Sequence, residues 1–331
     1  MISFTMKDIH EDFIVEEIGI PEIAGEGECF KYLLVKKNYN TFDAIAGISE
    51  FGEIAEDRIA YRGLKDEDGI TSQEITVEEP ISDKALNNIS NSMSDESRYI
   101  RLSYLGRAKR LEVGKLIGNA FTVTLRNLDE DNIDAFSGLH HSDIAFLNYY
   151  DYQRFGIPGY PKVTHRIGEC ILQSNYAEAY KLYLKSGNTA ADICDDPFEF
   201  FAFSVEPRKL SFFKNAYSSF LWNGKVEEIL KQSGIETETE TSTGITYTFS
   251  KKLMYLRNLN SDDLSVPYTK YTTKGTYQSD RPILTHTRVD FLDSGIDELH
   301  KDKYKVRIYF SLPSGSYATT LVRQLCASLS N

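Results

Sequence analysis

Cysteine, tryptophan and histidine are scarce in this chain: four, one and six among 331 residues. Cys29, Cys170, Cys194 and Cys326 lie far apart, with no CxxC pair and no histidine at a metal-site spacing. Reduced, packed thiols are therefore expected, with no disulfide and no bound metal. No segment approaches the roughly 18 apolar residues of a membrane span, and no apolar secretion core opens the sequence, so a cytoplasmic chain without membrane contact is expected. GxGxxG, P-loop and GxSxG patterns are all missing, which leaves nucleotide cofactors and a hydrolase nucleophile elbow without support. His140-His141 has only Asp143 close by, and adjacent side chains point apart, so a surface or capping role is expected there. The adjacent pairs Glu16-Glu17 and Asp195-Asp196 read as solvated or capping carboxylates.

What is present is an ordinary globular composition, 41% hydrophobic and 26% charged, with 21 tyrosines and 19 phenylalanines. Such aromatics serve as core or as platforms for nucleic-acid bases. Net charge is −12, which argues against a non-specific nucleic-acid binder. The charge is uneven, however. Residues 98–126 hold Arg98, Arg101, Arg107, Lys109, Arg110, Lys115 and Arg126 against Glu112 alone. An acidic protein with one basic segment can dock a polyanion at a defined place.

Strands are expected at Phe13–Ile18, Phe30–Val35, Glu74–Val77, Ser103–Leu105, Glu112–Val113, Phe121–Leu125 and Val306–Phe310. Asn40 or Thr41 caps a helix with Phe42, Ile45, Ala46 and Ile48 on its apolar face, and Gly52 ends it. From 167 to 186 and 196 to 232 the pattern is helical, with Asp196-Pro197 as a start signal. Leu210, Phe213, Ala216, Tyr217, Phe220 and Leu221 form a stripe expected to pack in a core. Glu236–Gly244 has low complexity and reads as an exposed hairpin tip or loop. A final helix is expected from about Ser316 to Ser328.

The polar segment Arg62–Gln73 reads as a loop bracketed by Gly63 and Gly69, with Asp66, Glu67 and Asp68 inside it and Lys65 next to the first carboxylate. A loop carboxylate beside a cation suits covalent or acid–base chemistry, and equally a simple turn. Its neighbours along the chain distinguish the two. Gly63-Leu64-Lys65-Asp66-x-x-Gly69-Ile70-Thr71-x-Gln73 resembles the G-x-K-D-x-x-A-x-T-x-Q motif of the TruD family of pseudouridine synthases. Lys7-x-x-x-Glu11-Asp12-Phe13-x-Val15-x-Glu17, Gly118-Asn119-Ala120-Phe121 with Leu125-Arg126, Asn148–Gly156 and Leu312–Thr319 resemble four more motifs of that family, in its order. Gly69 stands where alanine is usual and is expected to loosen the loop. His10 replaces a proline, Leu147, Tyr150 and Asp151 depart from P-N-Y-F-G, and Cys29 takes a place often held by histidine.

The resemblance implies an α+β fold: a pseudouridine-synthase-like catalytic domain with a mixed, largely antiparallel sheet (1–156 and 276–331), interrupted by a mostly helical insertion (TRUD) domain at 157–275. It implies an enzyme that isomerises uridine to pseudouridine in structured RNA, with uridine 13 of the tRNA D arm as the usual target. No cofactor and no obligate protein partner follow from it; the partner is tRNA or another structured RNA. Asp66 stands at the catalytic position, Lys7 at that of its cation with Lys65 as the alternative, Phe121 at that of the aromatic stacking on a flipped base, and Asn119 at that of a supporting amide. Arg107, Lys109, Arg110, Lys115 and Lys65 are the expected RNA contacts. The rival reading is a non-catalytic RNA-binding or RNA-folding protein on the same scaffold, which has no need of the Asp66 carboxylate.

Overall fold

The computed structural model describes residues 1–21, 25–157, 159–188, 195–242, 244–259 and 264–330, so Cys194 and Thr243 lie outside the described residues. The chain forms two compact units, one of residues 2–143 and 287–315, the other of Met1, 144–286 and 316–331.

Along the chain the strands are β1 (Thr5–Met6), β2 (Phe13–Gly19), β3 (Cys29–Lys37), β4 (Ile59–Tyr61), β5 (Ile70–Val77), β6 (Tyr99–Ala108), β7 (Leu116–Leu128), β8 (Ser142–Leu147), β9 (Thr237–Ser242), β10 (Ile245–Ser250), β11 (Ser265–Thr272), β12 (Gly275–Pro282), β13 (Leu284–Ile296) and β14 (Tyr304–Pro313). The first unit is built on a sheet of order β6-β3-β5-β2-β7-β14-β13, with β1 on β7 and β4 on β5. Its β2–β5 pairing is parallel, whereas β2–β7, β3–β5, β3–β6, β7–β14 and β13–β14 are antiparallel. The expected mixed, largely antiparallel α+β architecture is present. Strand β7 alternates through Phe121, Val123 and Leu125, and it is the spine on which β1, β2 and β14 pair. Glu112–Val113, expected as a strand, is instead part of the turn between β6 and β7. The strand expected at Glu74 starts at Ile70, so the polar loop is shorter than its composition suggests.

Helix α1 (Thr41–Gly52) is capped by Asn40, whose side chain accepts from Asp43 N, and stops at Glu53 in the left-handed region (φ 56). It packs with α2 (Asp83–Ser92) on β3, β5 and β6, where Tyr32, Leu34, Ile48, Ile75, Ile89 and Ile100 form a core. Each such side chain contributes about 1.5–3 kcal/mol of burial. The buried face of α1 is Thr41, Ala44, Ile45, Gly47 and Ile48, while Phe42 and Ala46 face outward. The small residues lie inward because Met93 approaches the helix closely: a Cβ at Gly47 would stand 2.0 Å from its terminal methyl.

The second unit carries α4 (Thr164–Leu172), α5 (Tyr176–Lys185), α6 (Pro197–Glu199), α7 (Pro207–Gln232) and α8 (Ala318–Ser328), following a short α3 (Asp131–Ser137) in the first unit. It also holds the β9–β10 and β11–β12 hairpins. The Thr/Glu-rich segment is thus a hairpin strand. Packing assigns 144–156 and 316–331 to this unit, unlike the division expected at 156/157 and 275/276. Asn223 of α7 bonds both the N–H and the carbonyl of Tyr150 at 2.9 Å, and Arg323 of α8 reaches Asp151 at 3.1 Å. Asp151, a departure from the family motif, also accepts from Thr319 at 2.5 Å. Along α7 the inward face includes Ser219 and Asn223, which serve Arg154 and Tyr150, whereas Phe220 and Leu221 are 40% and 50% exposed. Of the apolar stripe expected to be core, Phe213 and Ala216 are buried and Leu210 packs against the same core as Phe213.

His165 of α4 is stacked on Phe220 at 4.4 Å and is 7% exposed. Burial, with the charge of Arg166 beside it, pushes its pKa from 6.5 down to about 4. The unfolded chain takes up this proton first, so the stability this site supplies is full above pH 6.5 and is lost as pH falls towards 4. A loss of about 3 kcal/mol is expected from urea unfolding across that window, and His165→Phe flattens it. A variant with the wild-type pH slope contradicts this account.

Candidate active site

The loop between β4 and β5 is strapped down at several backbone groups. Gln73 Nε2 donates to the Gly63 carbonyl at 3.1 Å, and the N–H of Lys65 donates to Thr41 Oγ1 at 2.9 Å. The N–H of Gly69 donates to the Glu67 carbonyl at 2.8 Å. Lys36, fully buried on β3, donates from Nζ to the carbonyls of Tyr39 (2.6 Å), Lys65 (3.3 Å) and Asp66 (2.7 Å). Gly69 does not loosen this loop. A Cβ there would stand 2.4 Å from the Phe13 carbonyl, so glycine permits the close approach of loop and strand.

Beneath the loop lies a wedge of charge where β2 and β5 part after their short pairing. Glu17, whose side chain is 0% exposed, pairs with Arg62 at 3.3 Å and with Lys65 at 2.8 Å. Arg62 also bonds Glu74, which pairs with Lys31 at 3.1 Å. Burial opposes the charge on both Arg62 and Glu74, yet their bonds outweigh it: Arg62 is held above its ordinary pKa and Glu74 below. Glu17 is thus a buried anchor rather than the solvated carboxylate expected from its neighbour Glu16, which is exposed. Lys65 is buried and paired with Glu17, and no ion pair of it with Asp66 is present among the described residues.

The cation at Asp66 is Lys7. Its Nζ lies 3.4 Å from Asp66 Oδ2, and the two side chains are 15% and 39% exposed, so the carboxylate is braced on one side and open to a ligand. Lys7 has φ 66, a left-handed conformation that costs a non-glycine residue about 1 kcal/mol or more. The turn that follows it is pinned by Asp12, which accepts from Ile9 N and from Arg126 Nε at 2.9 Å; Arg126 also reaches Asp297 at 2.8 Å. Lys7 Nζ sits 4.0 Å over the Phe13 ring. Phe13 leans on Phe121 at 5.8 Å, and Phe121 stacks on Phe310 at 5.4 Å. Phe121 is 7% exposed within that row. Asn119 shares its face of β7 two residues away, opposite Glu17, and its buried Oδ1 has no hydrogen-bond partner among the described residues. Such an orphan acceptor costs about 1–3 kcal/mol unless a ligand satisfies it. A cavity of about 490 Å³ opens beside Lys7, lined by Lys7, His10, Lys37, Asp68 and Ser97 among others, with Asp66 outside its lining. That is within the size range of small-ligand sites.

The basic segment is not one surface. Arg126 is buried in the carboxylate cluster, and Arg110 is paired with Glu78 at 2.6 Å. Arg107 donates to the carbonyls of Gly27 and Glu28 and covers the Phe30 ring. Lys109 and Lys115 are exposed with no carboxylate partner among the described residues. Arg107 pairs with Phe30, seven residues along β3 from Lys37 at the Asp66 end, or roughly 23 Å at ~3.3 Å per residue. Among the described residues no group of three or more His, Cys, Asp or Glu is arranged to hold a metal ion, and no helix is long and apolar enough to cross a membrane. Sequence reasoning missed Lys36, Arg62, Glu17 and Arg323. A lysine and a glutamate at inward strand positions were the available signals.

Comparison with known proteins adds the following. The family model described as tRNA pseudouridine synthase D (TruD) matches residues 2–192 and 232–325. A relative from Methanococcus maripaludis named "Probable tRNA pseudouridine synthase D 1" is 26% identical, over 96% of this chain and 97% of its own. The human "Pseudouridylate synthase 7 homolog" is 34% identical over 48% of this chain and 23% of its own. The crystal structure of the "Putative tRNA pseudouridine synthase D (TruD)" of Methanosarcina mazei superposes with a TM-score of 0.65 at 18% identity, covering 98% of this chain and 94% of that one, a likeness of fold.

Removing the charge of Glu17 leaves Arg62 and Lys65 buried without their shared partner. Glu17→Gln is expected to cost about 3–5 kcal/mol in urea unfolding. A loss below about 1 kcal/mol would show that the wedge does not hold the loop.

Proposed function

The chain belongs to the TruD family of tRNA pseudouridine synthases, and we propose that it converts uridine 13 of the tRNA D arm to pseudouridine with Asp66 as its catalytic carboxylate. One observation carries this reading: Lys7 and Asp66, from motifs 59 residues apart, meet as a partly exposed ion pair, and Lys7 also lines a cavity. A protein that only binds RNA has no use for a carboxylate so held.

Asp66 acts at C1′ of the target uridine, attacking the sugar or assisting departure of the base. The C1′–N1 bond breaks, the uracil turns, and C1′ rejoins at C5; the C5 hydrogen leaves as a proton and N1 gains one. Nothing is oxidised and no water is consumed. Lys7 orients Asp66, a role supported by their 3.4 Å separation. The base must leave its stack to reach the carboxylate. Phe121, 7% exposed and backed by the buried Phe13 and Phe310, is the aromatic for it, and the orphan Asn119 Oδ1 is an acceptor for an N–H of the uracil. Lys109 and Lys115, exposed and without a carboxylate partner among the described residues, are the cations offered to RNA phosphates.

Asp66→Ala is expected to abolish pseudouridine formation, measured by mass spectrometry of the substrate tRNA, while tRNA affinity stays within a few fold. Full activity in that variant defeats the mechanism. Replacing Lys109 and Lys115 by alanine is expected to lower the slope of log affinity against log salt by roughly 1–2. An unchanged slope removes this segment from the docking surface.

A further inference from the structure

The lysine beneath the catalytic loop has no role in the chemistry described so far, yet its setting is unusual. Lys36 is fully buried at the end of β3, its Cα opposite Thr71 of β5 and Ile100 of β6. Buried lysines are rare unless paired. No carboxylate is hydrogen-bonded to this one among the described residues; its donors go to three main-chain carbonyls, those of Tyr39, Lys65 and Asp66. An ammonium has three N–H donors, and here each has an acceptor.

We propose that Lys36 is the positioning residue for Asp66, a buried ammonium that ties the backbone of the catalytic loop to the turn before α1 and so fixes where the carboxylate points. The inference rests on the assignment of Asp66 as the catalytic carboxylate. Its geometry is specific. Two of the three acceptors are the carbonyls on either side of the Asp66 N–Cα unit, and the third belongs to the turn that also supplies Thr41, the acceptor for Lys65 N. Lys7 sets the side chain of Asp66 from one side, and Lys36 sets its main chain from the other.

A neutral amine has only two N–H donors and presents a lone pair to the third carbonyl, so loss of the proton must release one of the three ties. The charged groups facing Lys36 are Asp66 and Glu67, which favour its charge, and Lys65, which opposes it. The strand neighbours Thr71 and Ile100 are uncharged, as are Thr41 of α1 and Gln73 of β5 in the adjoining hydrogen-bond set. Burial outweighs the carboxylates and brings the pKa of Lys36 from 10.5 down to about 8. The ties are therefore complete below that value and fail above it.

The test uses single-turnover isomerisation of tRNA by the full chain. In the wild type the rate constant is expected to fall as pH rises through about 8, and Lys36→Arg, which keeps its charge, is expected to move that limb above pH 9. Lys36→Met is expected to lower the rate at least about tenfold while the Kd for tRNA stays within about threefold, as misplacement of a reacting group does. Amide exchange at residues 63–69 is expected to quicken in Lys36→Met whether or not catalysis is followed. A wild-type rate in Lys36→Met, or a wild-type profile flat to pH 10, overturns the proposal. Should Lys36→Met not fold, the wild-type profile and the titration of the Lys36 Nζ resonance by NMR decide: titration near pH 8 supports the proposal, and titration near 10.5 overturns it. An active Asp66→Ala defeats the Asp66 assignment itself; an inactive Asp66→Ala beside an unimpaired Lys36→Met defeats only the role of Lys36.

Discussion

A loop that must carry an ion pair cannot itself be soft, and the site depends on how this one is held. Between Arg62 and Gly69 the main chain is bonded to Thr41, Gln73 and Lys36, and the side chains of Arg62 and Lys65 are sunk into the Glu17–Glu74 wedge. Buried charges of this kind contribute little net stability, because desolvation offsets most of their attraction. Their consequence is geometric. With both cations committed downward, the loop has one orientation, and Asp66 is the carboxylate it turns towards Lys7.

Lys7 is held as firmly from the other side. Its left-handed backbone is an unfavourable local state, stabilised by the short β1–β7 pairing before it and the Asp12–Arg126–Asp297 cluster after it. Strand β7 joins these parts. It carries Asn119 and Phe121 on one face, meets Glu17 and Val15 of β2 across the ladder, and bears Arg126 near its end. Catalytic groups on a rigid strand and a strapped loop need little reorganisation when a substrate arrives.

The family was legible because five motifs stand in its order, and the alternation of β7 and the Asn40 and Asp196 caps were legible from local chemistry. Local pattern failed where long-range partners reversed a residue's usual environment. Glu17 and Lys65 read as surface charges and are buried against each other. Phe220 and Leu221 read as part of the core stripe of α7 and are exposed, while Ser219 and Asn223 turn inward to bond residues 150–154. Arg110 and Arg126 counted as free positive charge and are neutralised by Glu78, Asp12 and Asp297.

By itself the sequence determined the family and the α+β fold class, because these rest on short-range spacing and residue type. Only the tertiary structure decided which cation serves Asp66. Lys65 is its chain neighbour and Lys7 lies 59 residues away, yet Glu17 draws the first into the interior and leaves the second at the carboxylate. Ion pairing depends on distance in space and on competition among partners, and neither quantity is written along the chain.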